Sequence, residues 1–250
     1  EPSAIIADQD EIPGTGRAVQ AGLEVLPADL TGTVVVTYGD VPLLTTELIQ
    51  DLVNEHEAHG NAVTVLTAVL ENADNYGRVV RDEHGSVAGI VEHKDATEEQ
   101  RQIREINSGI YAFDAEVLRN TLAQVTTDNA QGEMYLTDVL SLARNAGGRV
   151  AAVVTDDQWQ VEGANDRVQL SALGKELMRR VLTQHMRNGT TVVDPDNTYV
   201  DVTVTLEQDT TLLPGTVLQG NTHIAEDAVI GPDTTLVDTT VAAGANVTRT

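Results

Sequence analysis

The residues of this 250-residue chain with the clearest chemical potential follow a short β-branched run. Residues 33–37 predict a buried strand, and Tyr38, Gly39 and Asp40 come directly after it. In open α/β sheets ligands bind at the carboxyl ends of strands, and an aspartate there can hold a divalent cation through its hard oxygen atoms. The alternative is that Asp40 only caps the next turn. These residues alone leave both interpretations open.

A second candidate is the glycine-rich segment that runs from Pro13 through Gly14 and Thr15 to Gly16. Glycines let a backbone approach a ligand closely, and free amides at a following helix start suit a phosphate or the edge of a base. A simple turn before a helix would explain the same residues, and a glycine motif this short favours that alternative.

Three further polar side chains stand at positions suited to binding. Glu92 ends an apolar strand, where its carboxylate can accept hydrogen bonds from sugar hydroxyls, although a charged run is more often a solvated face. Asn107 offers both a donor and an acceptor. Asn165 precedes a predicted long helix, where it either caps that helix or offers its oxygen to a cation. His93 has no second His or Cys at metal-ligand spacing.

Composition excludes several classes of protein. The chain has 15 Lys plus Arg against 39 Asp plus Glu, a net charge of −24, so neither nucleic acid nor an anionic membrane surface is an expected partner. It has no cysteine, which excludes disulfides and thiolate sites. No apolar run approaches the roughly 18 residues of a membrane helix, and the start of the chain lacks the features of a signal peptide.

The elements that must position these residues alternate up to about residue 155. Apolar patterning predicts strands at 33–37, 62–69, 110–113 and 149–155, a hairpin at 79–91 turning at Gly85, and helices near 48–53, 115–124 and 134–145. Strand–helix–strand order with short connections predicts a parallel α/β sheet. A helical stripe at 168–188 then predicts one long helix that ends near Gly189.

The last fifty residues carry a strict period of six. An aliphatic residue recurs at every sixth position, with glycine, Asp, Asn and Thr between, at Leu206, Leu212, Leu218, Ile224, Ile230 and Leu236. This period is typical of a parallel β-helix, in which each short strand places one aliphatic side chain inside. The alternative is a β-sandwich with chance spacing, which six anchors in register disfavour.

Taken in order, six segments resemble one family of bacterial bifunctional enzymes, in which N-acetylglucosamine-1-phosphate uridyltransferase is joined to glucosamine-1-phosphate N-acetyltransferase. The segments are PGTGRA, YGDVPL, NYGRVVR, GIVEHKDATEEQRQIREINSGIY, NAQGEMYLTD and VEGANDRVQLS. The resemblance implies an incomplete Rossmann-like uridyltransferase (pyrophosphorylase) domain at 1–167, a linker helix at 168–189, and the start of a left-handed parallel β-helix of hexapeptide repeats at 190–250.

The activity that the resemblance implies is the joining of UTP and N-acetylglucosamine 1-phosphate to UDP-N-acetylglucosamine, with release of pyrophosphate and with Mg2+ as cofactor. It also implies a cytoplasmic homotrimer assembled through the β-helix. The implied uracil-binding positions are Gln9, Gly14 and Thr15, and the implied magnesium ligands are Asp40 and Asn165.

The remaining positions that the resemblance implies surround the sugar. Tyr38 and Gly39 would line the sugar-nucleotide site, and Thr137 would lie near the sugar phosphate. The implied contacts to N-acetylglucosamine are Gly77, Glu92 and Asn107.

The chain also departs from the family pattern. It lacks the family's glycine-rich segment, whose Arg and Lys bind the triphosphate, and the later coils of the acetyltransferase site. We therefore expect an incomplete enzyme without acetyltransferase activity and with very weak or absent uridyl transfer. Two alternatives are another nucleoside-diphosphate-sugar pyrophosphorylase, which the EHKDA and NAQGEMYLTD segments disfavour, and an inactive, trimeric assembly module.

Overall fold

A computed structural model describes residues 4–73 and 75–249. The chain divides into two units, the first ending at Gly163 and the second beginning at Ala164. No helix in the described ranges combines the length and the apolar character that crossing a membrane requires.

The first unit is a six-stranded sheet with helices. Its helices are α1 (Thr15–Glu24), α2 (Thr46–Ala58), α3 (Glu98–Arg101), α4 (Ala115–Leu122) and α5 (Asp138–Asn145), followed by a 3-10 turn at Gln158–Val161. Its strands are β1 (Thr33–Val36), β2 (Val63–Val69), β3 (Arg78–Arg81), β4 (Val87–Val91), β5 (Glu105–Asp114) and β6 (Val150–Thr155). The elements therefore alternate as the sequence predicts, although α5 begins at Asp138 rather than near residue 134.

The sheet is mixed, so the prediction of a parallel sheet is wrong in part. Its strand order is β4-β3-β5-β2-β6, with β1 also paired to β5. The β2 and β6 strands pair in parallel, whereas β5 lies antiparallel to β1 and β2. Because β5 lies between β1 and β2, the β1-α2-β2 crossover passes over it. Those two strands keep one direction without pairing with each other.

Local sequence explains why the crossover helix forms where it does. Thr45 is the N-cap of α2, and its side chain accepts a hydrogen bond from the Leu48 amide at 3.3 Å. Leu48 and Leu52 are buried under this helix. The first six residues of β2 are all buried, which confirms the prediction of a strand covered on both faces.

The second unit begins with one long helix, α6 (Arg167–Arg187). Its N-cap is Asp166, whose side chain accepts from the Gln169 amide at 2.8 Å, so the alternative that Asn165 caps this helix is wrong. Both residues are good capping types, and the register of the helix selects the second. The helix ends before Gly189, which has a φ of +102°.

After α6 the chain winds into a solenoid of short parallel strands. The strands are β7 (Thr191–Val192), β8 (Tyr199–Val200), β9 (Thr205–Leu206), β10 (Thr211–Leu212), β11 (Val217–Gln219), β12 (His223–Ile224), β13 (Val229–Ile230), β14 (Thr235–Val237), β15 (Thr240–Val241) and β16 (Asn246–Val247), with a 3-10 turn at Pro195–Asn197. They form three parallel sheets, in the orders β16-β13-β10-β7, β14-β11-β8 and β15-β12-β9. Every predicted hexad anchor lies in one of these strands, which confirms the β-helix.

The solenoid interior has a second set of inward side chains that the sequence analysis missed. Threonines two positions before an anchor or its equivalent are almost fully buried, namely Thr198, Thr210, Thr216, Thr222 and Thr234. Their hydroxyl groups donate hydrogen bonds to backbone carbonyls at the corners of the coils. Thr216 and Thr222, for example, donate to the carbonyls of Leu213 and Gln219, each at 2.7 Å. A polar residue thereby fits an apolar interior without an unpaired donor.

Candidate functional site

Three of the predicted sugar contacts lie side by side in the first unit. Gly77 precedes β3, Glu92 follows β4, and Asn107 lies in β5, whose amide donates to the Gly77 carbonyl at 2.9 Å. A methyl group placed on Gly77 would lie 3.4 Å from both the Asn107 Cβ and a Glu92 carboxylate oxygen. The fold thus unites residues that are up to 30 positions apart (107 − 77).

Glu92 and Thr137 form a hydrogen-bonded pair beside these sugar positions. The Thr137 hydroxyl donates to Glu92 Oε1 at 3.1 Å, and Thr137 is only 4% exposed. Burial raises the pKa of the Glu92 carboxyl, and the charges of Asp95, Asp138 and Glu133 add to this, while the Thr137 hydrogen bond opposes it. Glu92 is half-buried, so its carboxylate remains accessible and can accept a hydrogen bond from a ligand hydroxyl.

The carboxamide of Asn107 is held by two donors. The Gly109 amide and the Tyr111 hydroxyl both lie 2.9 Å from its Oδ1 atom. Tyr111 is fully buried in the sheet beside Phe113. Sequence reasoning missed Tyr111 because it reads as an ordinary apolar position of a strand.

Tyr38 packs directly onto Gly109. A methyl group on Gly109 would lie 2.8 and 2.9 Å from two carbons of the Tyr38 ring and closer still to a third, and Gly109 has a φ of +79°. Burial raises the pKa of the Tyr38 hydroxyl, as do the charges of Glu92 and Asp40, while a hydrogen bond with Thr15 lowers it. Tyr38 therefore links the glycine-rich segment to the sugar contacts.

The glycine-rich segment is fixed on the chain around Met134. The Gly16 amide donates to the Met134 carbonyl and the Met134 amide donates to the Pro13 carbonyl, each at 2.8 Å. A methyl group on Gly14, whose φ is +116°, would overlap the Met134 backbone. The segment is the turn before α1, and its glycines allow the close approach of the Met134 backbone. Ligand binding by Gly14 and Thr15 stays a prediction.

Gln9, the remaining position predicted to bind uracil, is exposed. Its side-chain nitrogen donates to the carbonyls of Ile12 and Gly14 at 2.8 and 3.2 Å. It therefore stabilises the shape of the glycine-rich segment. Its contact with uracil stays a prediction.

Asp40 lies after β1 and is exposed, and its carboxylate faces the backbone of Gly163. Burial raises the pKa of the Tyr76 hydroxyl, and the charges of Glu162 and Asp40 raise it further, which places two carboxylates near one tyrosine. Sequence reasoning did not single out Glu162, although it stands directly before a glycine in the VEGAN segment. Asn165, predicted as a metal ligand, lies in the second unit and is exposed, and its amide donates to the Gln169 side chain at 2.7 Å.

Asp40 offers a carboxylate of the kind that binds magnesium, but the residues that the structure describes supply few other ligands near it. Mg2+ takes oxygen ligands and is usually bound by one or two carboxylates together with substrate phosphates and water. Asp40 offers such a carboxylate, whereas the described residues include no group of three His, Cys, Asp or Glu that could hold a metal by itself. A magnesium ion at Asp40 would therefore complete its ligands from a bound nucleotide.

A network that the sequence did not indicate joins the segments around Glu92 and Met134. Asp95 accepts from the Ala130 amide at 2.9 Å and from the Tyr135 hydroxyl at 3.2 Å. The Gln131 side chain donates to the same Tyr135 hydroxyl at 2.9 Å. The charged run after β4 is thus partly structural, because it fixes the loop that precedes Thr137.

The chain is similar to proteins of a known family. Residues 2–166 match the family described as "Nucleotidyl transferase". Three relatives share the name "Bifunctional protein GlmU": those of Paenarthrobacter aurescens (67% identical, 100% of this chain covered), Pseudarthrobacter chlorophenolicus (66%, 100%) and Micrococcus luteus (63%, 98%). Each alignment covers 51% of the relative, so the chain spans about half the length of these proteins.

Proposed function

Because the chain belongs to the nucleotidyl transferase family, we propose that its first unit serves the transfer of a uridylyl group from UTP to N-acetylglucosamine 1-phosphate. The products are UDP-N-acetylglucosamine and pyrophosphate. The observation that carries this proposal is the convergence of Gly77, Glu92, Asn107 and Thr137 in one polar cluster. The resemblance of these segments to the uridyltransferase family supports the choice of substrate.

The reaction needs positioning more than covalent catalysis. An oxygen of the sugar phosphate attacks the α-phosphorus of UTP, the new P–O bond forms, and the bond to pyrophosphate breaks. We propose that Glu92 accepts a hydrogen bond from the sugar, that Asn107 contacts the sugar, and that Thr137 lies near its phosphate. Holding both reactants in line removes much of the entropy cost of a bimolecular step.

The finer assignments are also proposals. We propose Mg2+ as the cofactor, with Asp40 and Asn165 as its protein ligands; when bound, it would neutralise phosphate charge. Gln9, Gly14 and Thr15 would contact uracil, and Tyr38 and Gly39 would line the site. We further propose a cytoplasmic homotrimer assembled through the solenoid, with residues 168–189 linking the catalytic and solenoid domains. Neither nucleic acid nor a membrane surface is a proposed partner, given the net charge of −24.

Titration calorimetry of the chain with UDP-N-acetylglucosamine and MgCl2 tests the proposal. We expect the unchanged chain to bind UDP-glucose, which lacks the acetamide, more weakly than it binds UDP-N-acetylglucosamine. We expect Glu92→Gln to bind UDP-N-acetylglucosamine more weakly still. The matched control is Glu98→Gln, because the Glu98 side chain is 84% exposed in α3. The control should bind as the unchanged chain does.

Two results would count against this function. Equal affinity for the two sugar nucleotides would remove the case for N-acetylglucosamine as the substrate. A chain that binds neither nucleotide but sediments as a trimer would favour the assembly module, since the second unit buries an apolar cluster of its own.

A further inference from the structure

The orientation of the Asn107 carboxamide follows from its partners. The Gly109 amide lies 2.9 Å from one terminal atom of the side chain, and a backbone N–H can only donate. That atom is therefore the oxygen Oδ1, and the nitrogen Nδ2 occupies the other position. The Tyr111 hydroxyl donates to the same oxygen at 2.9 Å.

These two donors use both lone pairs of the oxygen. Within the part of the chain that the structure describes, Nδ2 donates to no protein atom. The buried side-chain atoms without a hydrogen-bond partner do not include it, so Nδ2 is accessible. Asn107 itself is half-buried. Its remaining hydrogen-bonding capacity is thus a donor at an accessible position beside Gly77 and Glu92.

Tyr111 is suited to hold this orientation. It is 1% exposed, and its ring packs 5.2 Å from that of Phe113. Burial raises the pKa of its hydroxyl well above the ordinary value, so the hydroxyl keeps its proton at any physiological pH. A rigid ring with a permanent O–H makes a fixed donor.

We propose that Tyr111 is a positioning residue, which fixes the Asn107 carboxamide so that Nδ2 donates a hydrogen bond to an oxygen of the sugar. The site would then read the sugar with one acceptor, Glu92, and one donor, Asn107. This inference rests on the proposed function. It adds the direction of the Asn107 hydrogen bond and a residue that sets it without touching the ligand.

A double-mutant cycle measured by calorimetry with UDP-N-acetylglucosamine and MgCl2 tests the coupling. Tyr111→Phe keeps the buried ring and removes the donor, and we expect it to weaken binding roughly five- to tenfold. In the Asn107→Ala background the same change should have no further effect on affinity. Losses that add across the two positions, or an unchanged affinity in Tyr111→Phe, would overturn the proposal. Tyr199→Phe, at an exposed position of the second unit, is the matched control.

A second measurement needs no ligand and separates this inference from the proposed function. In 15N relaxation spectra, the Asn107 side-chain amide is assigned by its loss in Asn107→Ala. We expect this amide to be rigid in the unchanged chain, with an order parameter of about 0.85, and we expect the order parameter to fall below about 0.6 in Tyr111→Phe. If the amide is equally mobile in both proteins, Tyr111 does not hold Asn107. If the unchanged chain binds no sugar nucleotide, the function fails while this measurement still decides the positioning role.

Discussion

Gly109 should tolerate no side chain, for two reasons that can be measured separately. Its φ of +79° lies in the left-handed region, and a methyl group there would overlap the ring of Tyr38. Gly85, in the β3–β4 turn, has the same φ of +79° and nothing within 4 Å of the added methyl position. Gly85→Ala therefore reproduces the backbone cost of Gly109→Ala without the overlap.

General values for backbone strain and overpacking give the expected size of each effect. A left-handed backbone costs an alanine about 1–2 kcal/mol, and this applies at both positions. Overlap with the Tyr38 ring, which is itself 37% exposed, adds roughly 1–3 kcal/mol, and this applies only at Gly109. We expect Gly85→Ala to lose about 1–2 kcal/mol of unfolding free energy and Gly109→Ala roughly 2–5 kcal/mol. Removing the ring with Tyr38→Ala should reduce the cost of Gly109→Ala to that of Gly85→Ala.

Urea unfolding followed by tryptophan fluorescence is the suitable assay. The chain has one tryptophan, Trp159, and it lies in the first unit, so the signal reports that unit alone. Equal losses in Gly109→Ala and Gly85→Ala would refute the overlap with Tyr38. An undiminished cost of Gly109→Ala in the Tyr38→Ala background would refute it as well.

Three other predictions concern charge. Thr137→Val should raise the pKa of Glu92 further, because the hydrogen bond that opposes the effect of burial is lost. As the pH is lowered, the affinity for UDP-N-acetylglucosamine should therefore begin to fall at a higher pH in this variant than in the unchanged chain. Glu176→Gln should cost roughly 1–2 kcal/mol at pH 7, since hydrogen bonds from Arg179 and then Arg180 hold the pKa of Glu176 at about 2. That contribution is complete above pH 4.5 and is lost as the pH falls toward 2, so the two proteins should unfold alike in strong acid and differ near neutrality. Finally, raising NaCl from 0.05 to about 0.5 M should raise the melting temperature, because a net charge of −24 repels itself and salt screens it; a melting temperature that falls over this range would contradict that reasoning.

The solenoid was predictable because its period is simple. An aliphatic residue at every sixth position needs only one inward place per strand, and Leu212, Leu218, Ile224 and Ile230 are all fully buried. The buried threonines were not predictable on polarity alone. Their hydroxyls find carbonyl partners only once the chain has turned its corners.

Strand direction is the property of the first unit that could not be predicted from the pattern of residues. The apolar residues of β5 predict a buried strand, but the same pattern serves either direction. Direction depends on how β5 is reached from α3 and where it fits between β1 and β2. The hairpin of β3 and β4 was predictable, since a glycine between two apolar segments, here Gly85, is typical of the turn of a hairpin.

The candidate site divides in the same way. The family resemblance implied that Gly77, Glu92, Asn107 and Thr137 surround one sugar, and the fold places these residues close together. Their contact with a sugar stays a prediction. Side-chain orientation could not be predicted, because it depends on partners distant in sequence. Examples are the hydrogen bond from Thr137 to Glu92 and the engagement of Gln9 with its own loop.

Because each coil of the solenoid uses a nearly constant number of residues, the length of the chain sets the height of the stack. Leu212 pairs with Ile230 and Leu218 with Leu236, so one coil takes 18 residues (230 − 212 and 236 − 218) and advances the stack by about 4.8 Å. Insertion or deletion of a whole coil would lengthen or shorten the unit without exchanging its interior and exterior. A single residue added within a strand would instead turn the anchor of that strand outward. The pairing of Ile224 with Val241, 17 residues on, indicates that the corners absorb such a change, so evolutionary insertions and deletions in this unit should collect at corners or come in whole coils.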